Sequence, residues 1–294
     1  MCNSFDMDFS KTQHNVYILG QVWAFTELKK PSNIKRESHV IQKNVSCNCV
    51  FIKWNVMLKE QSFVKKAVRK YLGLISPKLL ASVDVYRNMR YWINWKQPRD
   101  LNEKILWQSL NSDTSKWTEL ADKYAVRQYL NELGYNELLP TLYGVWENAD
   151  EIDFDSLPES FILKTNHGSG TNIIVKNKSE LNIPETREKM NQWLKLKFGW
   201  PYEPHYLRIK PKIIAEQLLD VNKQSIKTTS LIDYKLFCLD GHVDLIWSCY
   251  NRTGSSVYVD THKPDWSYHP ELSVFSDQYR DGKNLVPPPS ILKK

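Results

Sequence analysis

The stretch FILKTNHGSGTN at residues 161–172 constrains the fold of this chain more than any other. A β-prone run leads through Lys164 into a loop of small residues that holds Gly168 and Gly170, and an apolar run at 173–175 follows. We therefore expect two strands joined by this loop. A lysine beside a glycine-bearing loop places one cation and several backbone N–H groups where they can bind phosphate. The alternative is a polar β-hairpin that holds no ligand.

The order of residues excludes a P-loop, because that motif places Gly-Lys-Ser/Thr at the start of a helix and here the lysine precedes the glycines. A lysine that ends a strand is usually a solvated edge residue. The position of Lys164 before residues 167–170 favours the phosphate-binding interpretation. Ser169 adds a hydroxyl donor, whereas an isolated histidine such as His167 is more often structural or exposed than catalytic.

The segment WTELADKYAVRQYLNELG predicts one helix that ends at Gly134. Lys123 and Arg127 would then lie four residues apart on one face. Like charges at this spacing repel mildly, so the two side chains either project into solvent or share an anionic partner.

Carboxylates and cations also lie in the strand-like segments that follow. Glu216 interrupts the apolar run KIIAEQLL, which indicates either an outward edge position or a contact to adenine or ribose. Asp233 and Lys235 are two residues apart and face the same side of a strand. Asp240-Gly241 predicts a hairpin turn, and Arg252 follows that hairpin. These three charged residues indicate either a structural ion pair or a positively charged surface that stabilises a transferred phosphoryl group.

The positive charge of the chain is concentrated at its N-terminal end. Residues 1–100 hold 17 lysine or arginine residues against 7 acidic ones, whereas residues 101–294 hold 23 against 26. Residues 57–75 are predicted to form a basic amphipathic helix whose apolar side includes Val68 and Leu72. Such a helix packs on the protein body or lies on a membrane surface. Binding to nucleic acid would rest on charge alone and is not expected.

The sequence predicts a cytoplasmic protein that lies, at most, against the inner membrane face. It contains no apolar run of membrane-spanning length, and its acidic, polar start does not fit a signal peptide. Five scattered cysteines favour reduced thiols, and the lone pair Cys47 and Cys49 is too little for a zinc site.

We divide the chain into three segments. Residues 1–56 form an atypical N-terminal extension, and Met57 is the expected start of the protein, so that residues 1–56 are either an upstream reading frame that is not native or a poorly ordered extension. Residues 57–100 are the basic helical segment, and residues 101–294 form the main domain. Asn102 is expected to cap the first helix of that domain, and residues 185–198 to form a later helix. The resulting mixture of helices and strands predicts an α+β fold.

In this order, the segments resemble the TupA-like ATP-grasp family of bacterial teichuronopeptide and capsular polysaccharide biosynthesis. The resemblance runs from about residue 85 to the C-terminus, and its most specific part is LP-x-x-FILKTNHGSG. The matching segments are NEKILW at 102–107, ADKYAVRQYL at 121–130, LLPTLYGVW at 138–146, IDFDSLPESFILKTNHGSGTNIIVKNKS at 152–179, YLRIKPKIIAEQLL at 206–219 and DYKLFCLDGHV at 233–243.

The resemblance implies an ATP-grasp fold in which ATP lies between two α+β subdomains. Glu216 would contact adenine or ribose, and Lys123 and Lys164 would contact phosphates. The loop that closes over those phosphates would be formed by His167, Gly168, Ser169 and Gly170. The phosphoryl-transfer face would be lined by Asp233, Lys235 and Arg252.

The resemblance also implies a reaction and its partners. ATP-grasp enzymes typically activate a carboxylate as an acyl phosphate, which an amine or similar nucleophile then attacks. Members of this family are also labelled glycosyltransferases, so a transferase of the same pathway is the alternative. The implied partners are ATP, a glycan or amino-acid precursor, and peripherally the membrane-bound polysaccharide machinery.

This chain departs from the family pattern at its C-terminal end. Family members continue with a helix and two strands, marked by R-V-D and F-G-E-L-T, whose carboxylates hold Mg²⁺ against the phosphates. This chain stops at Lys294. We therefore expect an incomplete, C-terminally truncated ATP-grasp domain without the metal-binding strands, so the Mg²⁺ ligands of its relatives would be absent. The corresponding alternative is a catalytically silent module that binds a nucleotide or the glycan machinery.

Overall fold

The computed structural model describes residues 63–199, 201–239, 241–253, 256–272 and 286–289. Helices and antiparallel sheets are mixed in these residues, which confirms the predicted α+β class. The predictions for residues 1–56, including the start at Met57, lie outside the described residues.

The chain divides into two compact units. We call the described residues up to Leu218 the first unit and those from Leu219 onward the second unit. The helices of the first unit are α1 (Phe63–Ile75), α2 (Pro77–Met89), α3 (Leu101–Asn111), α4 (Ser115–Ala121), α5 (Ala125–Glu132), α6 (Ile183–Leu194) and α7 (Pro204–Leu207). Its strands are β1 (Leu142–Trp146), β2 (Phe161–Thr165), β3 (Asn172–Val175) and β4 (Ile213–Gln217), and those of the second unit are β5 (Asp233–Leu239), β6 (His242–Tyr250) and β7 (Tyr258–His262).

The basic segment forms two consecutive helices, α1 and α2, of which only α1 was predicted. The hydroxyl oxygen of Ser76 accepts from the Leu79 N–H at 3.1 Å, and Pro77 opens α2, so this short connection restarts the helix. Helix α1 packs against α2, and α2 packs against α3. Their shared core is formed by Leu80, Ala81, Val85, Ile93, Leu106 and Tyr202, with Leu72 and Met89 beside it.

The predicted cap of α3 was wrong. Asp100 caps this helix, since its Oδ1 accepts from the Glu103 N–H at 2.9 Å. Asn102 lies inside the helix and is buried, where it cannot cap the first turn. Asp100 and Asn102 are both residue types that commonly cap helices, so the sequence allowed either one. Asn102 is buried in the core, and Asp100, which lies outside it, is the cap.

The first unit is organised around a four-stranded antiparallel sheet with the order β1-β4-β2-β3. On one face, Phe161 and Leu163 of β2 are fully buried against residues of α6, including Met190. Alternation along the strands places Lys164 and Glu216 on the opposite face. The helix predicted at 185–198 is α6, which begins earlier because Asn182 accepts from the Glu185 N–H at 3.2 Å.

The second unit contains a three-stranded antiparallel sheet with the order β5-β6-β7. The hairpin predicted between β5 and β6 is confirmed, and Gly241 at its turn has φ +79°, a left-handed conformation that suits glycine. Strand β7 was not predicted. Its Asp260 is buried and accepts from the Tyr250 hydroxyl at 3.1 Å and from the Val286 N–H at 2.9 Å.

None of the helices in the described part of the chain combines the length and the apolar character needed to span a membrane.

Candidate functional site

The helix predicted around Lys123 is in fact two helices. Helix α4 ends at Ala121 and α5 begins at Ala125. The Oδ1 atom of Asp122 accepts from the N–H groups of Tyr124, at 2.8 Å, and of Ala125, at 3.3 Å. This carboxylate therefore starts α5 anew, and the prediction that Lys123 and Arg127 share a helix face was wrong.

Lys123 lies between the two helices and reaches the loop that follows β2. Its Nζ donates to the carbonyl oxygens of Thr165, at 3.2 Å, Asn166, at 3.4 Å, and Gly168. Burial and then the positive charge of Lys164 lower the pKa of Lys123 to about 8. The ammonium group thus holds three carbonyl oxygens of one loop, residues 165–171, which we call the glycine loop.

Asn166 is the main anchor of the glycine loop and is fully buried. Its Nδ2 donates to Asp122 Oδ1 at 2.9 Å and to the Lys210 carbonyl at 3.0 Å. Its own N–H donates to the Lys212 carbonyl at 3.0 Å, while its Oδ1 accepts from the Lys212 N–H at 2.7 Å. Sequence reasoning missed this residue. The available signal was an asparagine directly after a buried strand, where its amide can replace the strand's missing hydrogen-bond partner.

The tip of the glycine loop is open to solvent. The hydroxyl groups of Thr165 and Thr171 hydrogen-bond at 2.6 Å and close the base of the loop. Ser169 and Gly170 between them are exposed, and Gly170 has φ +73°. No acceptor among the described residues takes a hydrogen bond from the backbone N–H of Ser169 or Gly170. These two donors can therefore bind an anion.

His167 and Gly168 face inward, against the segment that follows α6. His167 Nε2 lies 3.1 Å from the Leu196 carbonyl oxygen, which can only accept, so Nε2 carries the proton. Burial lowers the pKa of His167, which favours the neutral form of the ring. The Phe198 ring meets the His167 ring edge-on at 5.2 Å. A Cβ at position 168 would lie 2.2 Å from the Phe198 ring, so the close approach requires glycine.

Glu216 joins two cations on the sheet face behind the loop. Its Oε1 accepts from Arg127 Nη1 at 2.8 Å, and its Oε2 pairs with Lys164 Nζ. Arg127 also donates to the Pro140 carbonyl at 2.5 Å. The Glu216 side chain is only 5% exposed, and those of Lys164 and Arg127 are 15% and 13% exposed. Glu216 is therefore an internal carboxylate with two cationic partners, which excludes the outward edge position.

The second unit holds the other predicted group of charges. Asp233 Oδ2 lies 2.7 Å from Lys235 Nζ and 3.5 Å from Arg252 Nη2. The Asp233 Oδ1 atom is buried and has no hydrogen-bond partner within the described residues. Ser230 fixes the Arg252 backbone, since its Oγ accepts from the Arg252 N–H at 2.9 Å. The ion pair that the sequence allowed is formed, and it leaves one carboxylate oxygen unused.

The structure thus gathers the predicted residues into two groups, each within one unit. The first unit brings together Lys123, Lys164, His167, Gly168, Ser169, Gly170 and Glu216, and the second unit brings together Asp233, Lys235 and Arg252. Three residues that position the first group were given no role from the sequence: Asp122, Asn166 and Phe198.

The lysine side chains and the backbone N–H donors of the first group suit a ligand that carries phosphate. A metal site is a separate question. The described residues contain no group of three or more His, Cys, Asp or Glu side chains that could hold a metal ion. The prediction that this chain lacks the Mg²⁺ ligands of its relatives stays a prediction, since residues 273–285 and 290–294 lie outside the described part.

No curated protein and no solved structure matches the chain. The family model described as TupA-like ATPgrasp matches residues 103–264, which is more than half of the chain and includes both groups of charges. The chain therefore belongs to the TupA-like ATP-grasp family.

Proposed function

We propose that this protein binds ATP at the glycine loop and uses it to activate a carboxylate. ATP-grasp proteins in general bind ATP and Mg²⁺, and this chain belongs to such a family. The observation that carries the proposal is the juxtaposition of Lys164 with a loop whose tip offers the N–H groups of Ser169 and Gly170. One cation and two N–H donors suit a phosphate chain.

Lys164 is the residue proposed to contact the phosphates directly. Within the described residues its charge partner is Glu216, which also pairs with Arg127, so the carboxylate remains paired when a phosphate oxygen takes over the Lys164 ammonium group. This arrangement avoids the cost of leaving a buried carboxylate without a partner. Lys123 lies behind the loop and supplies a second positive charge to bound phosphates while it holds the loop carbonyls.

Glu216 is proposed to contact the ribose or the adenine base. Two apolar residues with exposed surface share its face of the sheet: Ile162, which is half-buried, and Ile174, which is 57% exposed. A flat apolar surface beside a carboxylate suits a nucleoside, because the base packs on the aliphatic side chains and its polar atoms or the ribose hydroxyls reach the carboxylate.

The second group of charges is proposed to act in phosphoryl transfer. ATP, when bound, supplies the phosphoryl group that converts a substrate carboxylate into an acyl phosphate, which an amine or similar nucleophile then attacks as phosphate leaves. Lys235 and Arg252 would stabilise the negative charge on the transferred group, and Asp233 would hold both cations in position. His167 has no place in this scheme as a base, since its ring is buried on the inner side of the loop.

The biological setting that we propose is bacterial surface or capsular polysaccharide biosynthesis at the cytoplasmic side of the membrane. A glycan or amino-acid precursor would be the acceptor, and membrane-bound polysaccharide machinery would be the partner. The second candidate is a glycosyltransferase-type enzyme of the same pathway, and the third is a binding module without turnover.

Isothermal titration calorimetry tests the binding proposal. We expect the full chain to bind ATP and Lys164→Met to weaken binding by about tenfold or more, since it removes a charge-assisted contact. Lys176→Met is the matched control, because Lys176 is an exposed lysine just beyond β3 in the same hairpin. Equal binding by both variants would contradict the proposal.

Product analysis separates the three candidates. Release of ADP and phosphate that depends on an added carboxylate and amine would support the ligase-type reaction. Sugar transfer from a nucleotide sugar without ATP would support the glycosyltransferase. Binding of ATP without any turnover would support the silent module.

A further inference from the structure

The first helix of the described chain turns its apolar stripe away from the protein core. On its inner side, Leu72 packs against the core, Gly73 approaches Pro201, and Arg69 pairs with Asp84. Its outer side carries four large apolar residues at helical spacing, each more than half exposed: Val68 (52%), Tyr71 (67%), Leu74 (63%) and Ile75 (64%). The sequence pattern had placed Val68 and Leu72 on one side, but the structure packs the half-buried Leu72 against the core and leaves Val68 exposed.

Further exposed apolar residues lie on α2 and on the segment that follows it. Leu79 near the start of α2 is 45% exposed. Tyr86 and Trp92 are 39% and 54% exposed and stack on each other with 4.8 Å between ring centroids. Aromatic residues that expose a flat ring beside aliphatic ones are typical of proteins that reach the membrane–water interface.

The same segment of the chain is rich in positive charge. Residues 63–99 contain nine lysine or arginine residues and a single acidic residue, Asp84. Asp84 is buried and pairs with Arg69, so it does not offset the surface charge. The exposed cations among its described side chains are Lys70, Lys78, Arg87, Arg90, Lys96 and Arg99, of which Arg99 pairs with Glu103.

We propose that this surface, which we call the α1–α2 face, docks on an anionic lipid bilayer. Exposed apolar residues flanked by cations are the pattern of helices that lie in the plane of a membrane interface, with apolar side chains among the acyl chains and cations at anionic head groups. A second copy of the chain would present the same cationic face, and like charges would oppose that contact. Nucleic acid would match the cations but would leave the apolar stripe unused. The inference is independent of the proposed nucleotide site.

Vesicle co-sedimentation of the full chain tests this assignment without any variant. We expect the protein to pellet with vesicles of phosphatidylcholine mixed with phosphatidylglycerol, and to bind pure phosphatidylcholine vesicles at least about tenfold more weakly. High salt should reduce the binding to the anionic vesicles. Equal binding to both vesicle types, or no binding to either, would overturn the proposal.

A pair of matched variants locates the contact. Leu74→Glu is expected to reduce binding to anionic vesicles by about tenfold or more, because it removes an apolar contact and adds a repelled charge. Leu133→Glu makes the same change at an exposed leucine outside the α1–α2 face, where the side chain is 51% exposed, and should bind like the wild type. Equal losses in both variants would overturn the assignment. So would a dimer, detected by analytical ultracentrifugation and abolished by Leu74→Glu, in a protein that ignores anionic vesicles.

Discussion

Replacement of Glu216 by glutamine should destabilise the first unit strongly, because Glu216 holds two cations inside the protein. One carboxylate oxygen pairs with Lys164 and the other with Arg127, and none of the three side chains is more than 15% exposed. The Glu216→Gln variant keeps the shape of the side chain but leaves two cations without their counter-ion. The substitution therefore isolates the charge from the packing.

The expected cost follows from the burial of the pair. Removing one partner of a buried ion pair typically costs about 3–5 kcal/mol, because the remaining charge stays away from water. The amide oxygen of glutamine still accepts one hydrogen bond, so we expect a loss near the lower end, about 3 kcal/mol in the free energy of unfolding.

Glu147 offers a matched control in the same unit. Like Glu216, it bridges two cations, Lys210 at 2.5 Å and Lys212 at 3.1 Å. Its side chain is 51% exposed and that of Lys210 is 69% exposed, so water and salt screen the interaction. We expect Glu147→Gln to leave the free energy of unfolding unchanged within error.

Urea titration, followed by tryptophan fluorescence and circular dichroism, measures both variants against the wild type. The reasoning requires a lower transition midpoint for Glu216→Gln at an unchanged dependence of the free energy on urea. If both variants lost the same small amount, the Lys164–Glu216–Arg127 cluster would not be a buried, coupled group, and the account of the site behind the glycine loop would fail.

Two further predictions concern the glycine loop. Burial and the charge of Lys164 lower the pKa of Lys123 from 10.5 in the unfolded chain to about 8 in the folded protein. Between these two pH values the unfolded chain therefore binds more protons than the folded protein. Wild-type stability should therefore rise by up to about 3 kcal/mol relative to Lys123→Met between pH 8 and pH 10.5, and parallel profiles from urea unfolding would contradict this. Gly168→Ala should cost about 1–3 kcal/mol, because its methyl group meets the Phe198 ring. The same change should cost less in a Phe198→Ala background, and an equal cost in a double-mutant cycle would exclude the clash.

Local sequence signals were sufficient for the strands and loop that form the site. The β-prone run that ends at Lys164 and the apolar run at 173–175 predicted two strands joined by a loop, and the Asp-Gly turn predicted the β5–β6 hairpin. These features depend on residues that are close in sequence, so the pattern records them directly.

The contacts that position the site could not be predicted in the same way. Asn166 joins Asp122 to Lys210 and Lys212, which lie more than forty residues away on either side. Asp122 accepts the hydrogen bond from Asn166 and also caps the start of α5. The predicted single helix is therefore interrupted at the point where two distant segments meet the glycine loop. Such partners are chosen by tertiary packing, and a single sequence carries no signal for them.

The sequence also could not predict that the apolar stripe of α1 faces away from the core. A helical apolar pattern shows which residues share a face but not whether that face meets the core or a partner. Here the narrow side with Arg69, Leu72 and Gly73 packs inward, because glycine permits close approach to Pro201 and arginine reaches Asp84. The wider apolar side with Val68 and Leu74 remains exposed.

Amide hydrogen exchange with and without nucleotide tests the central claim that the glycine loop binds the phosphates of ATP. The account predicts that ATP slows exchange in peptides covering residues 165–172, where the N–H groups of Ser169 and Gly170 are open in the absence of ligand. Adenosine, which has no phosphates, should leave these peptides unchanged. Equal protection by adenosine, or protection by ATP only in peptides that exclude the loop, would contradict the claim.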